Sequence, residues 1–338
     1  MKVLVTGGTG YIGRILVPQL KKNGHDVTVI DRGFLDYSDL TDDYDGVKII
    51  REDIRTCDTD LLKGFEAVID LAALSNDPSG NLNRMATWDI NYIGRVRIAR
   101  LTKKMGTNRY LVASSCSVYG FQDNMCSEST KVNPLTTYAE ANVAVEKDNL
   151  ALNDRGFKST ALRFATVFGY SERFRLDLAI NAMTFYGYRN NVIKMMRDGE
   201  QYRPFIHVKD VSRALIFALE SDNEEIGGKF INVGNNKQNV RIKDVAEMIK
   251  RKIGQNCSIE LYGDPDNRSY RVNFDLSKEL LRFDTKYDIA YGVDEILEKC
   301  KKGLEDLPQM HTVNFYEKLI GYQKNLDRFY NLRPKVVL

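Results

Sequence analysis

Three glycines spaced three residues apart, Gly7, Gly10 and Gly13, interrupt the segment VLVTGGTGYIG where a β-branched run gives way to a helical stretch. Glycine at such a junction tolerates a tight turn and lets backbone N–H groups approach a phosphate. The start of the following helix adds the positive end of its dipole. The spacing therefore predicts a strand, a turn and a helix, with Thr9, Tyr11 and Ile12 filling the turn. The runs Val27–Ile30, Val47–Ile50, Ala67–Ile69 and Tyr110–Ala113 then alternate with helical stretches at Tyr11–Lys22 and Met85–Met105. Strands alternating with helices build right-handed βαβ units and a parallel sheet covered on both faces. Pro18, inside the first predicted helix, removes a hydrogen bond and is expected to bend it locally.

The expected fold class is thus α/β, a doubly wound parallel, Rossmann-type sheet, with a smaller interleaved α/β substrate domain. Residues 1–166 are assigned to the dinucleotide-binding domain, with elements near 203–235 returning to it. Residues 167–202 and 236–305 are assigned to the smaller domain. A helical extension is expected over 306–338, where Tyr316, Leu319, Ile320, Tyr322, Leu326, Phe329 and Tyr330 show helical spacing and no chemistry. Asp31 closes the second strand, where a carboxylate accepts hydrogen bonds from an adenosine ribose and favours NAD. Arg32 beside it leaves NADP open, since a guanidinium meets a 2′-phosphate.

Composition excludes several classes. Forty-nine Lys and Arg against 46 Asp and Glu leave a net charge of +3, too balanced for a nucleic-acid binder. No apolar run approaches a membrane span, and Met1 opens directly onto a strand, so no membrane partner and a cytoplasmic location are expected. The five cysteines are scattered without a CxxC pair. Neither a disulfide framework nor a metal site is indicated. His207, in the run FIHV, reads as a structural histidine.

Several segments, taken in order, resemble the extended short-chain dehydrogenase/reductase family, specifically its nucleotide-sugar epimerases and dehydratases. They are TGGTGYIG at Thr6–Gly13, REDI with Asp53 and Ile54, DLAA at Asp70–Ala73, SSCSVYG at Ser114–Gly120, Tyr138, LRFATVFG at Leu162–Gly169, RPFIHVKD at Arg203–Asp210 and PDNRSY at Pro265–Tyr270. The resemblance implies NAD as cofactor, contacted by the glycine turn, Asp31, Arg32, Asp53, Ile54, Leu71, Ala72, Ala73, Asn91 and Tyr138. It implies oxidation of a sugar hydroxyl, with Tyr138 taking the hydroxyl proton and Ser115 hydrogen-bonding the same oxygen. A phenol with a pKa near 10 is a weak base at neutral pH, so nearby positive charge must favour its anion.

The family pattern is Tyr-x-x-x-Lys, and here the fourth residue after Tyr138 is Asn142. An ammonium there would stabilise the phenolate by roughly 4 kcal/mol at 4 Å and an effective dielectric of 20. Asn142 can bond a ribose hydroxyl but carries no charge, and Lys147 points about half a turn away. Three consequences stay open: slowed turnover, another cation folding in, or a site that binds more than it reacts. The family's 4,6-dehydratases carry an Asp-Glu pair where this chain has Cys116 and Ser117, which disfavours dehydration.

For the substrate, a nucleoside-diphosphate sugar, the resemblance assigns Arg203 and Arg268, whose guanidinium forks match phosphate oxygens. It adds Thr166 and a polar cluster of Arg173, Arg175 and Asn181. The segment TVFGYSERFRLDLAIN most closely resembles a subgroup that includes GDP-heptose 4-dehydrogenases. The expected function is an NAD-dependent 4-epimerase or 4-dehydrogenase. The alternatives are a weakened protein that binds NAD and a nucleotide sugar, and a 4,6-dehydratase. Helices Asn91–Met105 and Tyr138–Asn153 match those that form a dimer contact in relatives, so a homodimer is expected.

Overall fold

The computed structural model describes residues 1–34, 44, 46–264, 266 and 268–329, with side chains as far as Tyr322. Tyr330, and the side chains of Leu326 and Phe329, lie outside the described residues. The main sheet uses seven strands: β1 (Lys2–Thr6), β2 (Asp26–Asp31), β3 (Lys48–Arg51), β4 (Ala67–Asp70), β5 (Arg109–Ser115), β6 (Lys158–Phe164) and β7 (Phe230–Val233). They lie in the order β7-β6-β5-β4-β1-β2-β3, every pair parallel.

Side chains alternate across a strand, and here both faces are covered. Val3, Val5, Val29, Ile69 and Leu111 pack into one core, whereas Leu4, Ile30, Val68, Tyr110 and Val112 pack into the other. That explains why the strands read as nearly continuous apolar runs. The first helix, Gly13–Lys22, runs on through Pro18. The stretch Met85–Met105 folds as helix Arg84–Trp88, a π-helical segment Asp89–Gly94 and helix Arg95–Lys104.

The elements near 203–235, expected to return to the dinucleotide-binding domain, divide between two sheets. Phe230–Val233 joins the main sheet, while Tyr202–His207 lies in a three-stranded sheet between Asn239–Arg241 and Thr166–Phe168. A parallel pair, Val192–Met196 with Ser258–Tyr262, packs with helices Ala179–Asn190, Ile242–Ile253 and Ile289–Lys301 around a separate apolar core. His207 is structural as expected: it caps the helix Val208–Glu220 by accepting from the Lys209 N–H, and its other ring nitrogen meets Glu295 at 3.0 Å. Among the described residues, no helix is long and apolar enough to cross a membrane, and no cluster of metal-ligating side chains occurs.

Candidate active site

Strand order reverses between β1 and β4, and in open α/β sheets the crevice beyond the carboxyl ends of strands at that point is where ligands bind. A cleft opens there. Gly7, Thr9, Gly10, Tyr11, Ile12 and Gly13 form one wall, and Leu71, Ala72 and Ala73 another. Asp31, Arg32, Asp53 and Ile54 line the end beyond β2. All thirteen were expected there from the sequence. The backbone is fitted closely: Gly7 has φ +67°, and a Cβ on it would meet the Ala72 backbone at 2.8 Å. A Cβ on Gly13 would fall 2.1 Å from the Gly8 carbonyl oxygen. The two glycines let the turn approach β4 and let the helix sit on the turn.

Asp31 accepts from the Thr9 and Gly33 N–H groups at 3.1 and 2.9 Å. Arg32 donates to Asp53 at 2.7 Å and lies over the Phe34 ring. Asp53 also takes a forked pair of bonds from Arg55. Burial opposes the Asp53 charge, but hydrogen bonds from Arg55 and the charge of Arg32 hold its carboxyl below the usual range. Arg32 thus spends its charge on a carboxylate, which argues against a 2′-phosphate at this end. Asn91, also expected at the cofactor, is placed differently from the thirteen. It does not line the cleft; buried in the π-helical segment, it bonds both the N–H and the carbonyl of Leu74 and so fixes the loop after β4.

Ser115 ends β5, Tyr138 opens the helix Thr137–Leu150, and Asn142 stands one turn along it. The three come together. Burial pushes the Tyr138 phenol above its ordinary pKa, and the Asp77 charge adds to that, while the neighbouring Asn142 and Ser115 side chains and the charge of Arg95 pull it down. Tyr138 is not among the residues that line the glycine-walled cleft. It stands beside that cleft, packed on Gly80 of the helix Asp77–Leu82.

Arg95 was missed by the sequence reading. Its guanidinium is 1% exposed and lies 2.8 Å from Asp70, itself 0% exposed. It also donates to the Ala113 carbonyl and, at 3.4 Å, to Asn142 Oδ1. Asp70 is held in turn by the Thr6 and Tyr110 hydroxyls. The Asn142 amide nitrogen is buried and has no partner among the described residues. Arg95 sits on a charged helical run, RVRIARLTKK, that reads as solvated; only the arrival of Asp70 and Asn142 beneath it reveals the buried role. Lys147 is exposed and plays no part.

The residues expected at the substrate divide into four groups. Arg203 and Arg268 converge on Asp266, at 2.9 and 2.8 Å, and Arg268 also pairs with Asp77. Asp77, whose charge reaches Tyr138, links Arg268 to the tyrosine. Thr166 is half-buried on its strand beside Phe205. Asn181 does not face a ligand: its amide is committed to the Gly169 backbone and the Arg175 carbonyl. Arg173 and Arg175 also depart from expectation, lining the glycine-walled cleft on the dinucleotide side. Thr312 and Tyr316, from the terminal helix read as carrying no chemistry, line the same cleft. Cys116 is fully buried, and burial holds its thiol well above the ordinary range, so it is an inert filler.

These residues fit a dinucleotide. The glycine turn leaves its backbone close to the space at the helix start, Asp31 stands at the ribose end, and a buried guanidinium, Arg173, faces the same cleft with an unpartnered Nε.

Comparison with known proteins agrees. Residues 3–234 match the model of the NAD dependent epimerase/dehydratase family. A UDP-glucuronate 4-epimerase of Thermodesulfobacterium geofontis is 27% identical over 320 residues, 89% of this chain and 97% of that protein. A UDP-glucuronic acid decarboxylase 1 of Xenopus tropicalis is 23% identical over 90% of this chain and 73% of its own length. Among solved structures, MoeE5 in complex with UDP-glucuronic acid and NAD superposes with a TM-score of 0.81 at 28% identity, covering 90% of this chain and all of that one.

Proposed function

The chain belongs to the NAD dependent epimerase/dehydratase family, and from that premise we propose that it oxidises a hydroxyl, the one on C4, of a nucleoside-diphosphate sugar with Tyr138 as the base. The observation that carries this reading is the Tyr138 phenol held with Ser115 and Asn142 beside the glycine-walled cleft, with Arg268 across Asp77. NAD, the family's cofactor, supplies when bound a nicotinamide ring that accepts hydride from the sugar carbon. Tyr138 Oη takes the hydroxyl proton, and the Ser115 hydroxyl donates a hydrogen bond to the same sugar oxygen. Arg203 and Arg268, gathered on Asp266, place their positive charge on the side where the substrate's phosphates would lie. Cys116 and Ser117 offer no carboxylate, which favours oxidation over dehydration.

Arg95 answers the missing lysine. It anchors Asn142 Oδ1, which leaves the unpartnered amide N–H free to donate to the phenolate, and its own charge reaches the same site. A hydrogen bond to the charged form favours that form. Burial, with the Asp77 charge added to it, outweighs those contributions, so the phenol remains above its ordinary value. That observation favours a second reading, a protein that binds NAD and a sugar nucleotide with weak turnover.

Incubation with NAD and a panel of UDP- and GDP-linked sugars is expected to give an epimer, a keto-sugar or NADH retained on the protein. Tyr138→Phe is expected to lower that rate by about 10²–10⁴-fold. Full activity in that variant removes Tyr138 as the base. Tight binding with no turnover on any sugar, at neutral or alkaline pH, selects the second reading. A homodimer through helices Arg95–Lys104 and Thr137–Leu150 belongs to the same proposal. Light scattering showing only monomer removes that part.

A further inference from the structure

Arg173 lies between the strand Thr166–Phe168 and the helix Ala179–Asn190, and only 4% of it is exposed. Its Nη1 donates to the Phe174 carbonyl at 2.8 Å and its Nη2 to Thr312 Oγ1 at 3.3 Å. Its Nε is buried without a partner, and among the described residues no carboxylate forms an ion pair with it. The nearest candidate, Asp177, is already occupied by Arg175, Asn76 and Thr312. Burial, followed by the charges of Arg175 and Arg14, pulls the Arg173 guanidinium down to about 10. A buried charge with no counter-ion is costly to keep. The cost is recovered only when an anion arrives.

The position of the group identifies the anion. Arg173 shares one cleft with Gly7, Gly10 and Asp31, so it faces the glycine turn at the start of the first helix and not the Arg203–Arg268 pair. We infer that Arg173 is a ligand for the diphosphate of the dinucleotide, delivered from the second half of the chain onto the glycine turn, with Thr312 of the terminal helix as its positioning residue. A guanidinium fork matches two phosphate oxygens at once, and the free Nε–H supplies a donor that the protein itself leaves unused. The inference rests on the reading of this cleft as a dinucleotide site.

The test is calorimetric titration of the full-length protein, wild type and Arg173→Met, with ADP-ribose, AMP and UDP-glucose. Arg173→Met is expected to weaken ADP-ribose binding by about 10- to 100-fold, the range for a lost charge-assisted hydrogen bond. AMP, which lacks the diphosphate, is expected to lose less, and UDP-glucose nothing. Arg173→Lys, which keeps the charge and loses the fork, should fall between, and it serves if the methionine variant does not fold. Thr312→Val should weaken ADP-ribose binding and Thr312→Ser restore it, whereas a merely packed Thr312 would favour valine. Unchanged ADP-ribose affinity in both Arg173 variants overturns the inference while leaving the dinucleotide site intact. A loss confined to UDP-glucose overturns it in favour of the substrate's diphosphate. Wild-type protein that binds neither ADP-ribose nor NAD overturns the cleft reading itself.

Discussion

Arg95 and Arg173 are both more than nine-tenths buried, yet the protein treats them in opposite ways. Arg95 meets a carboxylate, two carbonyls and an amide oxygen, so every side of its guanidinium is answered from within. Arg173 has a carbonyl and one hydroxyl, no ion pair among the described residues, and a bare Nε. Arg163 follows the first pattern, forked onto buried Glu146. Arg95 and Arg163, each with its counter-ion, fix strands and helices to one another. Arg173 has none and faces a cleft.

The contrast breaks most directly at the two arginines themselves. Arg95→Met strands the Asp70 carboxylate in the core and is expected to cost about 3–5 kcal/mol of stability, measured by urea unfolding without ligand. Arg173→Met in the same assay is expected to stay within about 1 kcal/mol of wild type or to gain, because it removes an unpaired charge. Equal losses at both sites would dissolve the distinction.

Asn142→Lys sharpens it. The new ammonium would face the Arg95 guanidinium, 3.4 Å from the present amide oxygen, so the variant is expected to lose about 1–3 kcal/mol and to gain no rate. A large rise in turnover would show that the Arg95 charge does not reach the phenol. The pH profile tests the same field from the other side. Burial and Asp77 hold the Tyr138 phenol above its ordinary value, and the phenolate is the working form, so activity should climb from neutral to alkaline pH. Asp77→Asn should move that climb about one unit or less toward lower pH, read from kcat against pH. The smallest effect belongs to Arg32. Its half-exposed ion pair with Asp53 is worth about 0.2–1 kcal/mol, so Arg32→Ala should leave the melting temperature nearly unchanged.

The parts of the site that were legible in the sequence are those whose geometry is local. The glycine turn, Asp31 and the run Leu71–Ala73 each follow directly from a strand end, and their positions depend on backbone conformation within a few residues. Tyr138 and Ser115 were readable through the family resemblance, and one helical turn then sets Asn142 beside Tyr138. Arg173 was not: its partner Thr312 is 139 residues away, and whether it faced dinucleotide or substrate depended on the route of the chain after Phe168. Asn91 and Asn181 look like ligand contacts in a motif, but each spends its amide on a loop backbone. Polar residues of that kind hold a site in place without touching what occupies it. Tyr316 was hidden because an amphipathic helix gives no hint of which cavity its face will close.

The glycine turn is also tied across the molecule. Tyr11 Oη donates to the Gly169 carbonyl at 2.6 Å, and the Ser171 hydroxyl returns a bond to the Tyr11 carbonyl at 2.8 Å, joining segments some 160 residues apart. Any breathing of the turn that releases Tyr11 must break both links together. Backbone amides flanking Tyr11 and those flanking Gly169 should therefore exchange with deuterium at a common rate, as a single opening event, despite belonging to distant stretches of polypeptide.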